Sequence, residues 1–167
     1  MATAVDVRVN VSILAKETNT TGLSQTKVAP HLLELVANYA TGTASNQQDR
    51  CYSTTLALAA APQTLDLAGS LTDSWGAALT FVEITAIVVR HKGTTTAEPL
   101  KIGAGSNPLL NWVIATGDGV QVGPGGILLV TSPIDGFTVT ATTGDILTFD
   151  PGTKTFDADI LILGRSA

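Results

Sequence analysis

His31 and His91, Cys51, and the carboxylates Asp145, Asp150, Asp157 and Asp159 are the side chains of this 167-residue chain best suited to chemistry. A zinc centre needs several His or Cys ligands converging on one ion, and two separated histidines with one cysteine offer no second ligand at metal-binding spacing. His91 reads as a strand-end polar residue and Cys51 as a small buried hydrophobe that closes no disulfide. The four aspartates crowd the C-terminal region, where a paired acid/base site or a calcium site can be imagined. Their spacing matches no calcium loop, however, and Asp at strand ends is ordinary turn chemistry. Gly103-Ala104-Gly105-Ser106-Asn107-Pro108 has the glycines of a phosphate-cradling loop, but Pro108 and the strand-like residues after it leave no helix N-terminus to hold a phosphate. No Gly-x-Ser-x-Gly elbow is present, and no serine is singled out beside a base. Trp75 and Trp112 could stack on sugar rings. With only 5% aromatic residues, they read first as core or interface residues. The chain is therefore expected not to be an enzyme and to need no cofactor or metal.

Composition narrows the classes further. Hydrophobic residues make up 44% of the chain and charged residues 14%, well under the ~25% charged fraction of an average soluble domain. Thr, Ser and Gly must cover much of the surface instead, in runs such as Thr94-Thr95-Thr96 and 138–144. Such a surface lacks the usual solubilising charge, so partners are expected to cover a good part of it. The alternative is that Thr simply solvates exposed strand faces. The net charge is −5 with cations scattered singly, which argues against nucleic acid, since that partner requires clustered cations. No stretch approaches the ~20 apolar residues of a membrane span, and 1–11 alternates instead of forming a signal core. Asn-x-Ser/Thr matches at Asn10 and Asn19 are set aside as chance.

The elements that would position these residues are strands. Val5, Val7, Val9, Val11 and Ile13 alternate with polar residues, the pattern of a strand with one buried face. A polar loop or arm without periodicity is expected over 15–26. Segment 28–39 fits two readings: Val28, Leu32, Leu35, Val36 and Tyr39 match helical spacing, while Leu33, Leu35, Ala37 and Tyr39 match strand spacing. Pro30 near its start and Gly42 past its end favour a short helix. Residues 41–50 have no apolar anchor and read as a loop, either fluctuating or ordered by a neighbour. The remainder is one strand pattern repeated: 52–58, 63–67, a long strand over 79–91, then 100–102, 112–115, 120–122, 127–131, 137–140, 146–149 and 159–163. Asn107-Pro108, Gly117-Asp118-Gly119, Gly123-Pro124-Gly125-Gly126, Asp135-Gly136 and Asp150-Pro151-Gly152 supply the reversals. Short strands at this spacing, with no helix-length segment between the later ones, predict an all-β antiparallel sandwich of jelly-roll type. It would carry an N-terminal strand and arm over 1–46, with one short helix, on a body spanning 47–167.

From Gln47 onward, Gln-Gln-Asp-Arg, the run from Thr55 to Asp73, Leu-Thr-Phe-Val-Glu-Ile-Thr-Ala-Ile-Val-Val, Val-Gly-Pro-Gly-Gly-Ile-Leu-Leu-Val and the closing Asp-Ala-Asp-Ile-Leu-Ile-Leu-Gly-Arg-Ser together resemble small virion proteins of tailed bacteriophages. They also look like the jelly-roll head decoration or cement proteins of such phages. The resemblance covers roughly the last three quarters of the chain and contains no catalytic motif. It implies a structural protein, made in the host bacterial cytoplasm, that binds the outer surface of the capsid and clamps neighbouring subunits. The implied partners are the major capsid protein and sister copies in a homo-oligomer, a trimer before a dimer, with neither nucleic acid nor membrane. On this reading Val5, Val7, Val9, Val11, Asn46, Gln47, Asp49 and Arg50 are the partner-binding residues. Two alternatives stand beside it: a tail or fibre component that recognises a host glycan through the tryptophans, and a glycan hydrolase using Asp157 or Asp159.

Overall fold

A computed structural model describes residues 4–21, 25–94 and 99–167. Thr95 and Thr96 of the threonine run, residues 22–24 of the expected polar loop and residues 1–3 lie outside them. Among the described residues there is no helix, and fourteen strands follow one another.

Two long strands open the chain, β1 (Val7–Thr21) and β2 (Gln25–Thr41). They pair antiparallel in unbroken register from Val7↔Tyr39 to Thr21↔Gln25. This overturns the helix expected over 28–39. The strand-spaced row Leu33, Leu35, Ala37, Tyr39 is the one realised, because β1 offers a facing row of β-branched residues and a full ladder of backbone partners. It also overturns the loop expected over 15–26: Thr-rich segments suit a pleated strand, and pairing carries both strands on through Thr21 and Gln25. The hairpin continues into the body through β3 (Gln47–Gln48), which runs parallel to the end of β2.

The body contains two packed sheets. One combines β4 (Arg50–Ala59), β8 (Glu83–His91), β11 (Ile127–Thr131) and β14 (Thr155–Arg165) in the order β11-β8-β14-β4, with the short β12 (Phe137–Thr138) also on β8. The other combines β5 (Gln63–Asp66), β9 (Leu100–Gly103), β10 (Gly119–Val122) and β13 (Ile146–Asp150) in the order β10-β9-β13-β5. A two-stranded ribbon, β6 (Leu71–Thr72) with β7 (Ala78–Leu79), lies between β5 and β8 in the chain. Apart from the β9–β10 hairpin and the step from β11 to β12, which both pair with β8, successive strands of the two large sheets cross from one sheet to the other, and all their pairings are antiparallel.

The antiparallel β-sandwich expected from the sequence is thus what forms. Alternate residues of both sheets enter one core: Leu58, Ile87, Val89, Ile160 and Ile162 from one side meet Leu65, Leu100, Ile102, Leu147 and Phe149 from the other. The long strand expected over 79–91 is two strands, interrupted at 80–82. The strand expected over 112–115 is absent. There Asn111 adopts a positive φ of 70°, the Trp112 indole donates to the Leu109 carbonyl at 3.0 Å, and the Ala115 amide donates to Asp118 at 2.9 Å. Local side-chain bonds replace a ladder at this point.

Candidate functional site

Because side chains alternate along a strand and facing residues share a side, the β1–β2 register sorts the hairpin into two faces. Val7, Val9, Val11, Ile13 and Ala15 lie opposite Tyr39, Ala37, Leu35, Leu33 and His31 on one face. Arg8, Asn10, Ser12, Leu14 and Lys16 lie opposite Asn38, Val36, Glu34, Leu32 and Pro30 on the other. The first face carries no charge from Val7 to Ala15 or from Tyr39 to Leu33, and becomes polar only toward the tip, where His31 and Glu17 approach to 3.7 Å. Folding covers it only in part, with Val7, Val9, Val11, Ala37 and Tyr39 half-buried near the root. Ile13, Leu33 and Leu35 remain 57, 62 and 54% exposed, and covering each would be worth about 1–2 kcal/mol. A two-stranded hairpin is at best marginally stable alone in water.

At its root the hairpin is held firmly. Arg165, 3% exposed, pairs with Glu83 at 2.5 Å and donates to the carbonyls of Ala44 at 3.0 Å and Ile134 at 3.2 Å. The Asn46 amide donates to the Pro133 carbonyl at 2.8 Å. Asp49 accepts from the Ser166 amide at 2.9 Å and hydroxyl at 2.5 Å, and Arg50 pairs with it at 3.2 Å. Residues 41–50 are therefore ordered by the chain's own body. Gln48 is buried beside them with a side-chain amide that has no hydrogen-bond partner among the described residues.

Of the sequence-predicted partner residues, Val7, Val9 and Val11 line the uncharged face, and Val5 precedes it with its amide donating to Thr41 at 2.9 Å. Asn46, Gln47, Asp49 and Arg50 sit at the root, where all four engage neighbours within the chain. The opposing row Leu33, Leu35, Ala37 and Tyr39 was missed as a surface, although its strand spacing was visible.

The residues with chemical potential do not converge. His91, at the end of β8, is fully buried and stacks on Phe156 with ring centroids 3.9 Å apart, while His31 lies out on the hairpin. Cys51 is only half-buried, contrary to expectation, and burial raises its thiol pKa. Asp145 accepts from the Thr142 amide at 2.6 Å and Asp150 from the Gly152 amide at 2.8 Å, both as turn residues. Asp159 is held below the usual carboxylate range by the Thr55 hydroxyl, 2.7 Å away, with Lys92 assisting at 3.4 Å. Among the described residues no group of three or more His, Cys, Asp or Glu could hold a metal ion.

Comparison with family models, curated proteins and solved structures finds no match. The site's geometry therefore stands on its own chemistry. The two tryptophans part company: Trp112 packs against the core, whereas Trp75 is 77% exposed at the β6–β7 turn. Its amide and that of Ala77 both donate to Asp73, at 2.9 and 2.8 Å, which fixes the turn that displays the ring. The ring borders a groove of about 660 Å³ shared with Val5, Thr41, Arg50 and Cys51 at the hairpin root.

Proposed function

We propose that this chain is a virion structural protein, a decoration or cement protein that binds the outer surface of a tailed-phage head and stabilises contacts between major capsid subunits. The carrying observation is the hairpin: its outer part leaves Ile13, Leu33 and Leu35 on one face and Leu14, Leu32 and Val36 on the other exposed to water, while its root is hydrogen-bonded to the body. We read the body's strand orders, β4-β14-β8-β11 opposite β5-β13-β9-β10, as jelly-roll wrapping, an architecture common in viral shells. Such a body is a stiff platform, and on a repeating shell even modest contacts add up, because each engaged site raises the effective concentration of the next. The scattered charge and the dispersal of catalytic side chains favour this reading over chemistry on a substrate.

The test is imaging of the assembly that incorporates the chain, with the chain labelled. Label spread over the outside of the head is the expected result, and label confined to the tail or absent from particles would count against it. Exposed Trp75 beside its groove favours a second reading, a tail or fibre component that recognises a host glycan through ring stacking. Label at fibre tips, together with glycan binding lost in a folded Trp75→Ala variant, would select that alternative.

A further inference from the structure

We infer that Gln48, Thr85 and Arg165 enclose an internal water site, in which at least one ordered water joins the root of the hairpin to the sandwich. All three residues are buried, at 1, 1 and 3% exposure. Each keeps polar atoms without a hydrogen-bond partner among the described residues: both side-chain amide atoms of Gln48, the Thr85 hydroxyl and Arg165 Nε. Burial strips these atoms of bulk water, so leaving them unpaired would cost stability.

Register and alternation bring the three together. Arg165 faces Glu83 across β14 and β8 and pairs with it. Thr85 is the extra residue where the register shifts, since Leu163 faces Ala86 and Gly164 faces Ile84. Ile84 enters the core, so Glu83 and Thr85 on either side of it share the opposite face, the one Arg165 occupies. Across β14 from β8, the Asp49 amide donates to the Gly164 carbonyl at 3.1 Å, and the Asp49 carboxylate accepts from the Ser166 hydroxyl. Adjacent side chains of an extended backbone point opposite ways, so Gln48 is turned away from Ser166 and toward Arg165. Two turns close the space: the Ala44 and Ile134 carbonyls accept from Arg165, and the Ser45 hydroxyl donates to Ile134. A Cβ on Gly136 would come within 3.0 Å of Arg165 Nη2, which shows how closely that side is packed.

The mixture of groups selects the ligand. Arg165 Nε and Gln48 Nε2 donate, Gln48 Oε1 accepts, and the Thr85 hydroxyl can do either. An anion would leave Gln48 Oε1 unmet and lie near the Glu83 carboxylate, while a metal cation would face the Arg165 guanidinium. Water both donates and accepts, and a buried water makes about three hydrogen bonds to groups otherwise unpaired. The site stands apart from the shell reading, because it depends only on groups within one chain.

The test is a high-resolution crystal structure of the full chain, together with NMR cross-relaxation between water and the Gln48 side-chain amide protons in solution. A density peak within hydrogen-bond distance of Gln48, Thr85 and Arg165 Nε is expected, with a long-lived water signal at that amide. Gln48→Met, close in size but without the amide, should weaken or displace the peak and lower the thermal midpoint by about 2–4 °C. Thr85→Val should shift the midpoint in the same direction. Direct bonds from Gln48 to Thr85 or Arg165 with no peak between them would overturn the inference. So would a Gln48→Met midpoint at or above that of the wild type, the result for an amide buried dry. If the variants do not fold, the wild-type density and water signal decide.

Discussion

Arg165 shows how one side chain can tie distant parts of the chain together. It reaches Glu83 on β8 and the carbonyls of Ala44 and Ile134, partners up to 121 positions away in sequence. Replacing it by Met would leave the half-buried Glu83 carboxylate and those carbonyls unpaired. We expect a loss of about 3 kcal/mol, read as a lower urea midpoint, with part of the loss recovered in the Arg165→Met, Glu83→Gln double variant. A loss within about 0.5 kcal/mol would show that the root is held by other bonds. Nothing in the sequence around Arg165 announces this role, since its worth depends on which carbonyls the fold brings to it. Asp159 makes a contrast. Its lowered pKa means that its ion pair and hydroxyl bond contribute fully above the ordinary carboxylate range and fade as the pH falls through the lowered value. The group is solvent-exposed, so the effect on stability stays small.

At the scale of elements, the decisive pairings are the hairpin and the centre of the β11-β8-β14-β4 sheet. β14 pairs with both β4 and β8, and its register against β8 shifts between Leu163 and Gly164. A Cβ at Gly164 would overlap the Glu83 carbonyl oxygen and lie 2.6 Å from the Phe81 ring. Gly164→Ala should therefore cost about 2 kcal/mol or more, measured by chemical denaturation, because backbone and a buried ring must move together. An unchanged midpoint would mean that the shifted register relaxes freely. Strand β11 occurs just where alternation and glycine turns predict it, whereas 28–39 was misread, because its helical and strand rows fit equally well until the β1 partner is known. Pro30 and Gly42, read as helix punctuation, lie within and beyond a strand instead.

For the whole molecule, the described structure divides into a sandwich whose buried core begins at Leu58 and a hairpin that contributes nothing to that core. Removing residues 1–41 keeps Ala44, Asn46 and Asp49 in place to satisfy Arg165, Pro133 and Ser166. The truncated chain is expected to retain one cooperative unfolding transition and to lose assembly, as scanning calorimetry and sedimentation would show. Loss of the transition would mean that the hairpin is part of the folding unit. On the proposed assembly reading the low surface charge has a physical setting, because a surface covered by partners has less need of solubilising charge.

Alternation and turn residues determined from sequence alone that this chain is an all-β antiparallel sandwich. These are local properties, legible residue by residue. Which of two apolar rows in 28–39 would be used, how far β1 and β2 extend, and that the outer part of the hairpin leaves apolar side chains in water were decided only by tertiary structure. Strand pairing is a contact between distant segments, and a surface is exposed or covered only relative to everything else that folds around it.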